Sequence, residues 1–263
     1  MCCLDMTEKI LVGIFSFAVL IITHEMGHYI SALLFKIRVS EFSIGFGPKI
    51  ISKTKNGITY KLSLFPIGGY VQMPEKLDVE SSEGVPFSKA GTTAKITTLL
   101  AGSVSNILFG YLVVLFVCIF VENGHLDFEA AKLFENFKLA NDLFKNFLSI
   151  IFDSFKNLLS GGYGLKDLSG PIGITEAITE SLNSSTYSYL IMLSFIAVNI
   201  GVFNLLPIPA LDGARALFCL IEAVFGRKIP VKIQEGIHNV GLTFLVGLII
   251  VVTFKDIYGL IFL

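Results

Sequence analysis

The chain has 263 residues, of which 53% are hydrophobic and 16% charged, and its formal net charge at pH 7 is -1. Soluble domains carry about 25% charged residues, so this composition excludes an ordinary soluble domain and indicates a chain that crosses a membrane several times. A net charge so close to zero gives no support for nucleic-acid binding. The four cysteines show neither metal-ligand spacing nor a disulfide framework, and we interpret Cys118 and Cys219 as packing residues.

The first predicted membrane span, residues 9–35, contains His24-Glu25-Met26-Gly27-His28. In a helix His24 and His28 lie on one face, one turn apart, which is the spacing with which two imidazoles bind one zinc ion. Glu25 lies beside them and is placed to take a proton from a zinc-bound water. Because such residues are costly inside a membrane, we predict a catalytic role for them rather than hydrogen bonding within a helix bundle.

Residues 39–73 change from a helical to an extended pattern. Short alternating runs are separated by Gly45-Phe46-Gly47-Pro48 and by Asn56-Gly57, and another run follows Pro66-Ile67-Gly68-Gly69. An Asn-Gly pair between two such runs is typical of a β-hairpin turn. We therefore predict a small sheet of three or four strands, followed by a polar surface loop that ends near Thr93.

The second predicted span, residues 95–121, contains a run of small and polar residues from Ala101 to Asn106. Small residues let another helix approach closely, and ordinary packing is the interpretation for Gly102 and Ser103. Asn106 is more informative, because its amide must find a partner within the bilayer.

The region 125–182 has large apolar residues mostly at three- and four-residue steps, with charged and amide residues between them. This pattern predicts one or two amphipathic helices, which lie either at the membrane interface or against the helix bundle. Both alternatives remain open at this point. Ser169-Gly170-Pro171 begins a further short helix.

The third predicted span, residues 187–225, is broken by Pro207-Ile208-Pro209 and resumes near Asp212, and a fourth span covers residues 239–263. Irregular backbone at membrane depth is tolerated where it lines a cavity or a site. Lysine and arginine number nine in residues 36–95, five against nine acids in residues 122–187, and three in residues 226–238. This bias predicts that the sheet faces the cytoplasm and that both termini lie on the opposite side.

A catalytic zinc site needs three protein ligands and one open position. Candidates for the third ligand are Asp212, Glu222, His125 and His238. Asp212 is the strongest, because a carboxylate directly after an apolar, proline-rich break is costly unless it is paired or metal-bound. Asn204, eight residues earlier, either donates a hydrogen bond to a developing oxyanion or caps the broken helix.

With these residues in view, the chain resembles the site-2 protease family of intramembrane zinc metalloproteases, in its bacterial RseP-type branch. The matching motifs cover nearly the whole chain in order and are His24–His28, Gly45–Pro48, Pro66–Val71, Ser169–Ile174 and Asn199–Gly213. The resemblance implies an α-helical polytopic membrane protein of about four spans with a membrane-associated β-sheet after the first. It also implies a single protease domain that acts in a bacterial cytoplasmic membrane.

The resemblance further assigns roles to individual residues. It implies that one zinc ion is held by His24, His28 and Asp212, that Glu25 is the general base, and that Asn204 contacts the substrate or transition state. We predict that the sheet binds an extended substrate by strand addition. The predicted substrate-binding residues are Gly69, Tyr70, Asn199, Pro207 and Pro209. The implied substrate is a single-span membrane protein or a remnant signal peptide.

Two departures from the family pattern stand out. The RseP-type branch carries PDZ domains between the second and third spans, whereas the roughly 65 residues here leave no room for one. The family's Gly-His after the aspartate-glycine pair is Ala214-Arg215 here. The alternative function is a polytopic metal-binding or metal-transport protein, although transport needs no glutamate beside the metal.

Overall fold

A computed structural model describes residues 5–75, 84–122, 125–126, 132–164 and 167–262. The helices are α1 (Met6–Leu34), α2 (Thr92–Phe120), α3 (Leu133–Leu159), α4 (Pro171–Ser184), α5 (Thr186–Asn204), α6 (Asp212–Phe225) and α7 (Val231–Phe262). The strands are β1 (Glu41–Lys55), β2 (Ile58–Gln72), β3 (Val121–Glu122) and β4 (His125–Leu126). Part of the predicted surface loop, residues 76–83, lies outside the described residues.

Four of the helices are long and apolar enough to cross a membrane, which confirms the predicted number of spans. They cover Thr7–Leu34, Thr92–Phe120, Thr186–Asn204 and Val231–Gly259. The fourth of these spanning helices, α7, begins at Val231, eight residues before the predicted start at residue 239. Hydropathy locates the apolar part of a helix, whereas this helix starts directly after Pro230 in a polar segment that is equally compatible with helical structure.

The Asn-Gly hairpin turn is confirmed. β1 ends at Lys55 and β2 begins at Ile58, and both turn residues have positive φ values, 52° for Asn56 and 71° for Gly57. A two-residue turn with two positive φ values matches the twist of the flanking strands, and asparagine followed by glycine adopts it at the lowest cost.

The predicted sheet of three or four strands is formed by two long strands, β1 and β2. Each strand is bent and contributes two paired segments to the sheet. Beyond the hairpin, Glu41 at the start of β1 is paired on one side with Thr59 and on the other with Gln72. The same double pairing continues to Ile44. Residues 69–72 therefore form an outer edge of the sheet, hydrogen-bonded on one side to the start of β1.

The chain forms two compact units, and the first contains residues from Ile107 to Asn199 and from Thr243 onward, together with the start of α1 up to Gly13. In this unit α3 packs by aromatic contacts. The ring of Phe144 lies 5.1 Å from that of Tyr111 on α2, and Phe147 lies 5.2 Å from Phe195 on α5. The bundle-packing alternative therefore describes the inner face of α3, while its outer face leaves Phe134 81% exposed.

The Ser-Gly-Pro motif begins α4 in the same unit. The carboxylate of Asp256 on α7 accepts hydrogen bonds from the backbone N–H groups of Gly170 (2.9 Å) and Gly173 (3.0 Å). Lys255 donates to the carbonyl of Leu168 at 2.6 Å. Backbone N–H groups at a helix start lack intrahelical partners, so α7 supplies the cap that α4 does not supply itself.

The second unit covers residues 14–106 and 200–242. Its core brings together α1, the sheet, α2 and α6, and consists of Ala32, Ile37, Val39, Ile58, Phe87, Leu99 and Ala216. Next to this core the hydroxyl groups of Tyr29 on α1 and Tyr60 on β2 lie 2.7 Å apart, within hydrogen-bonding distance. The sheet is thereby fixed to the helix that carries both histidines.

Candidate metal centre

The two histidines of α1 are adjacent, as their spacing predicts, with ring centroids 4.8 Å apart. Helix α2 crosses them at Gly102. A Cβ atom at Gly102 would lie 2.3 Å from Nε2 of His28 and 2.8 Å from Nε2 of His24, closer than any real contact. Gly102 is therefore required because its backbone lies directly against both imidazoles, a more specific role than the ordinary packing predicted for it.

The rest of the small-residue run lets the two helices approach. A Cβ atom at Gly27 would lie 2.3 Å from the carbonyl oxygen of Ala101. The hydroxyl of Ser105 donates a hydrogen bond of 2.7 Å to the carbonyl oxygen of Thr23. These contacts fix the crossing of α1 and α2 at the level of the histidines.

Asp212 reaches the histidines because the chain breaks between α5 and α6. Helix α5 ends at Asn204, and Asp212 is the first residue of α6. Its Oδ2 lies 2.9 Å from Nε2 of His24 and 3.2 Å from Nε2 of His28. The two Nε2 atoms are themselves 3.2 Å apart. Three donor atoms from α1 and α6 thus converge on one point.

The hydrogen bonding of His28 shows that this convergence suits a cation. Its Nδ1 donates to the carbonyl oxygen of Thr98 at 2.7 Å, so a neutral imidazole carries its lone pair on Nε2. That lone pair faces the carboxylate of Asp212, which is an acceptor only when ionised. Two acceptors at this distance repel unless a proton or a metal ion lies between them.

The donor set fits zinc. Zinc in proteins is bound by histidine nitrogen and carboxylate oxygen at about 2.0–2.2 Å in tetrahedral geometry, which places neighbouring ligand atoms about 3.4 Å apart. The observed separations of 2.9–3.2 Å are within a few tenths of an ångström of that value. Within the described part of the chain, His24, His28 and Asp212 are the one group of donor side chains close enough to hold a metal.

The other candidates for the third ligand have different positions. The carboxylate of Glu222 accepts hydrogen bonds from the backbone of Ile229 (2.9 Å) and the side chain of Gln234 (3.1 Å), and so fixes the connection between α6 and α7. His238 lies on α7 outside the group, and the side chain of His125 is outside the described residues. The prediction of Asp212 is the one that the geometry supports.

Glu25 lies between the histidines and the edge of the sheet. A Cβ atom at Gly69 would lie 3.0 Å from Cγ of Glu25 and 3.1 Å from Cγ2 of Ile21, so the edge residues 69–72 pass directly beside α1. The backbone N–H of Val71 is hydrogen-bonded to the carboxyl of Glu25. The predicted general base and the predicted substrate-binding edge are therefore neighbours.

Tyr70 is engaged within the sheet. Its hydroxyl donates a hydrogen bond to Glu41, and its ring stacks on Phe46 with centroids 6.2 Å apart. Glu41 also pairs with Lys61. Partial burial alone would raise the pKa of Glu41, but the hydrogen bonds from Lys61 and Tyr70 hold it below its ordinary value. Tyr70 thus holds the edge in place through its side chain.

The remaining predicted site residues are spread along the broken helix. Asn204 is half-buried at the end of α5, and Asn199, five residues earlier, points about 140° away around the helix. Pro209 packs against α7, since a Cβ atom at Gly241 would lie 2.4 Å from its Cβ, whereas Pro207 is exposed. The predicted roles of these four residues toward substrate stay predictions.

Two contacts of the site could not be predicted from the sequence. The carbonyl of Thr98 that orients His28 is a backbone group, and no residue type signals it. The run of small residues in α2 indicates that another helix approaches closely at Gly102. It does not indicate that the side chains opposite Gly102 are the two imidazoles.

Comparison with known proteins agrees with this geometry. Residues 12–248 match the family model described as Peptidase family M50. Three curated relatives, each with a name that reads "Putative zinc metalloprotease", come from Fusobacterium nucleatum (28% identical), Clostridium perfringens (25%) and Helicobacter pylori (26%). The alignments cover 95%, 94% and 95% of this chain and 98%, 98% and 99% of the relatives.

The relatives are longer inside the aligned region. The alignment with the Fusobacterium protein spans 337 positions but 95% of this 263-residue chain, which is about 250 residues. About 87 positions of the relative therefore have no counterpart here. That difference is the size of a small domain, in agreement with the absence of a PDZ domain.

Proposed function

This chain belongs to peptidase family M50, the site-2 protease family, and is a membrane metalloprotease; we propose that it hydrolyses peptide bonds within or near transmembrane segments of membrane proteins. The observation that carries the proposal is the convergence of Asp212 on His24 and His28 beside Glu25, with both histidines and Glu25 in a helix long enough to span a membrane.

In this proposal His24, His28 and Asp212 hold one zinc ion. When bound, zinc polarises the scissile carbonyl and lowers the pKa of a bound water to about 7. The carboxylate of Glu25 takes a proton from the attacking water and delivers it to the leaving amide nitrogen. Asn204 donates a hydrogen bond toward the oxygen on which negative charge develops.

The proposed role of the sheet edge is to bind the substrate in an extended conformation. A transmembrane helix satisfies its own carbonyl groups, so it must unwind before a peptide bond can be attacked. Residues 69–72 lie at the outer edge of the sheet and beside Glu25, which supports pairing of an extended substrate segment with that edge. The proposed substrate is a single-span membrane protein or a remnant signal peptide.

The orientation is also a proposal. The connection between α1 and α2 carries eight lysines and arginines, and the histidines lie in the half of α1 nearer to that connection. The positive-inside bias therefore supports a site toward the cytoplasmic face of a bacterial cytoplasmic membrane, with both termini on the other face.

The decisive experiment is Glu25→Gln in the full-length protein. The amide has nearly the shape of the carboxylate but cannot accept the proton, so cleavage of a co-expressed single-span protein should fall to background while zinc stays bound at one ion per chain. A metal transporter would keep its activity in this variant. Full cleavage by Glu25→Gln would refute the mechanism.

A further inference from the structure

The one buried amide side chain without a partner in the described part of the chain lies close to the candidate metal centre. Asn106 on α2 is completely buried, and neither its Oδ1 nor its Nδ2 has a hydrogen-bond partner there. Leaving a buried polar group unpaired is unfavourable, because the group loses its hydrogen bonds to water and gains none in the protein. A membrane helix that keeps asparagine at such a position is expected to give it a partner when the protein functions.

The other unpartnered atoms lie nearby. Among the described residues, the buried side-chain polar atoms without a partner are those of Asn106, Nδ1 of His24 and Oγ of Ser103. His24 is a predicted zinc ligand through Nε2, and its Nδ1 is the opposite nitrogen of the same ring. Two groups that both need a hydrogen bond thus occur on facing helices.

Helix geometry directs the amide of Asn106 toward His24. Asn106 follows Gly102 by one turn and lies about 40° from it around α2, whereas Ser103 lies about 100° away. Side chains of a helix lean toward its N-terminus, so the amide leans toward Gly102. The Cβ position at Gly102 is 2.8 Å from Nε2 of His24. The hydrogen bond of Ser105 to the carbonyl oxygen of Thr23 places their chain neighbours, Asn106 and His24, at the same level of the two facing helices.

The two histidines predicted to bind zinc differ in the partner of their Nδ1 atom. Nδ1 of His28 has an acceptor, the carbonyl oxygen of Thr98 at 2.7 Å, and Nδ1 of His24 has none among the described residues. Histidines that bind metals almost always donate their other N–H, because this fixes the tautomer and the ring orientation. His24 lacks such an acceptor among the described residues, and Asn106 on the facing helix is the buried amide that can supply one.

We infer that Asn106 is a positioning residue for the metal centre, whose Oδ1 accepts the Nδ1–H of His24 through one buried water. This inference rests on the proposed zinc site. The amide holds His24 in the tautomer that presents its Nε2 lone pair, as Thr98 does for His28. Loss of such a partner weakens metal affinity by about 10–100-fold in other proteins.

The test compares Asn106→Leu with Ser103→Ala, a neighbouring buried polar group on the same helix that serves as the matched control. Zinc affinity of the full-length protein in detergent is measured by competition with a chelator, and ligand geometry by the absorption spectrum of the cobalt-substituted form. We expect affinity about 10–100-fold weaker and an altered spectrum for Asn106→Leu. Ser103→Ala should behave as wild type, and Asn106→Asp, which keeps an acceptor, should bind zinc tightly.

Thermal unfolding of the metal-free proteins separates this role from simple packing. Because the amide has no partner among the described residues, metal-free Asn106→Leu should unfold at the wild-type temperature or above. If the Asn106→Leu variant does not fold, the Asn106→Ala variant should show the same loss of zinc affinity. Wild-type zinc affinity in whichever of the two variants folds would overturn the inference, as would weakened binding in Ser103→Ala alone. A wild-type protein that binds no zinc would instead refute the proposed function.

Discussion

Two partly buried aspartates of this protein, Asp212 and Asp256, differ in the atoms that surround them. The side chain of Asp256 is 6% exposed and that of Asp212 is 18% exposed. Asp256 accepts hydrogen bonds from two backbone N–H groups and pairs with Lys255. Asp212 faces the Nε2 atoms of two histidines, and the Nε2 of His28 carries a lone pair when that ring is neutral.

The comparison teaches that a buried carboxylate in a membrane protein is not by itself a functional signal. Around Asp256 the protein provides the donors, so the charge is satisfied and stabilises the start of α4. Around Asp212 the nearest groups are imidazole nitrogens that can present lone pairs, and one metal ion would satisfy all three donor atoms together. The kind of atom that lies opposite the carboxylate distinguishes a structural aspartate from a metal ligand.

The largest effect should come from Asp212→Asn. An amide oxygen is a much poorer zinc ligand than a carboxylate, so we expect zinc affinity to fall at least about 100-fold and cleavage to fall to background. Metal content after gel filtration and cleavage of a single-span substrate measure both. Asp256→Asn is the matched control and should keep its zinc. Equal metal content in Asp212→Asn and wild type would remove Asp212 from the metal centre.

An intermediate effect is expected from Asp256→Ala. The substitution leaves the N–H groups of Gly170 and Gly173 without their acceptor, which should cost about 1–3 kcal/mol of unfolding free energy. Thermal unfolding should show a lower midpoint for Asp256→Ala and a smaller decrease for Asp256→Asn, which keeps an oxygen acceptor. Zinc stoichiometry should not change. Loss of zinc together with unchanged stability would reverse the assignment of the two aspartates.

The smallest effect concerns Glu41, a carboxylate that pairs with Lys61 and Tyr70 in the sheet. Its pKa is held below the ordinary value of about 4.3, so the ionised form stabilises the sheet above that pH, and the stabilisation is lost as the pH falls through the lowered pKa. Hydrogen exchange of residues 69–72, corrected for intrinsic rates, should show protection that decreases below about pH 4.

In Glu41→Gln this protection should be weaker at neutral pH and should lose its dependence on acid, because glutamine does not titrate in this range. Zinc content serves as the control and should match wild type. An acid transition that persists unchanged in Glu41→Gln would show that another group controls the sheet edge.

Much of the site could be predicted from sequence because its signals are local. The four-residue spacing of His24 and His28 fixes their common face in any helix, and a carboxylate after a proline break marks Asp212. The position of Asn204 follows from the same break. The alternatives for α3 could not be separated in this way, because one amphipathic pattern fits a bilayer surface and a helix bundle equally well.

The sequence by itself determined the number of membrane helices, the hairpin turn and the two histidines of the candidate metal centre, since these depend on hydropathy and on spacing along the chain. Only the tertiary structure decided that Gly102 lies against both imidazoles, that Thr98 orients His28 and that Asn106 has no hydrogen-bond partner within the described part of the chain. Those contacts depend on where α1 and α2 cross. A crossing point is set by packing between residues some 80 positions apart, as in the contact of Ser105 with Thr23, and no local pattern encodes it.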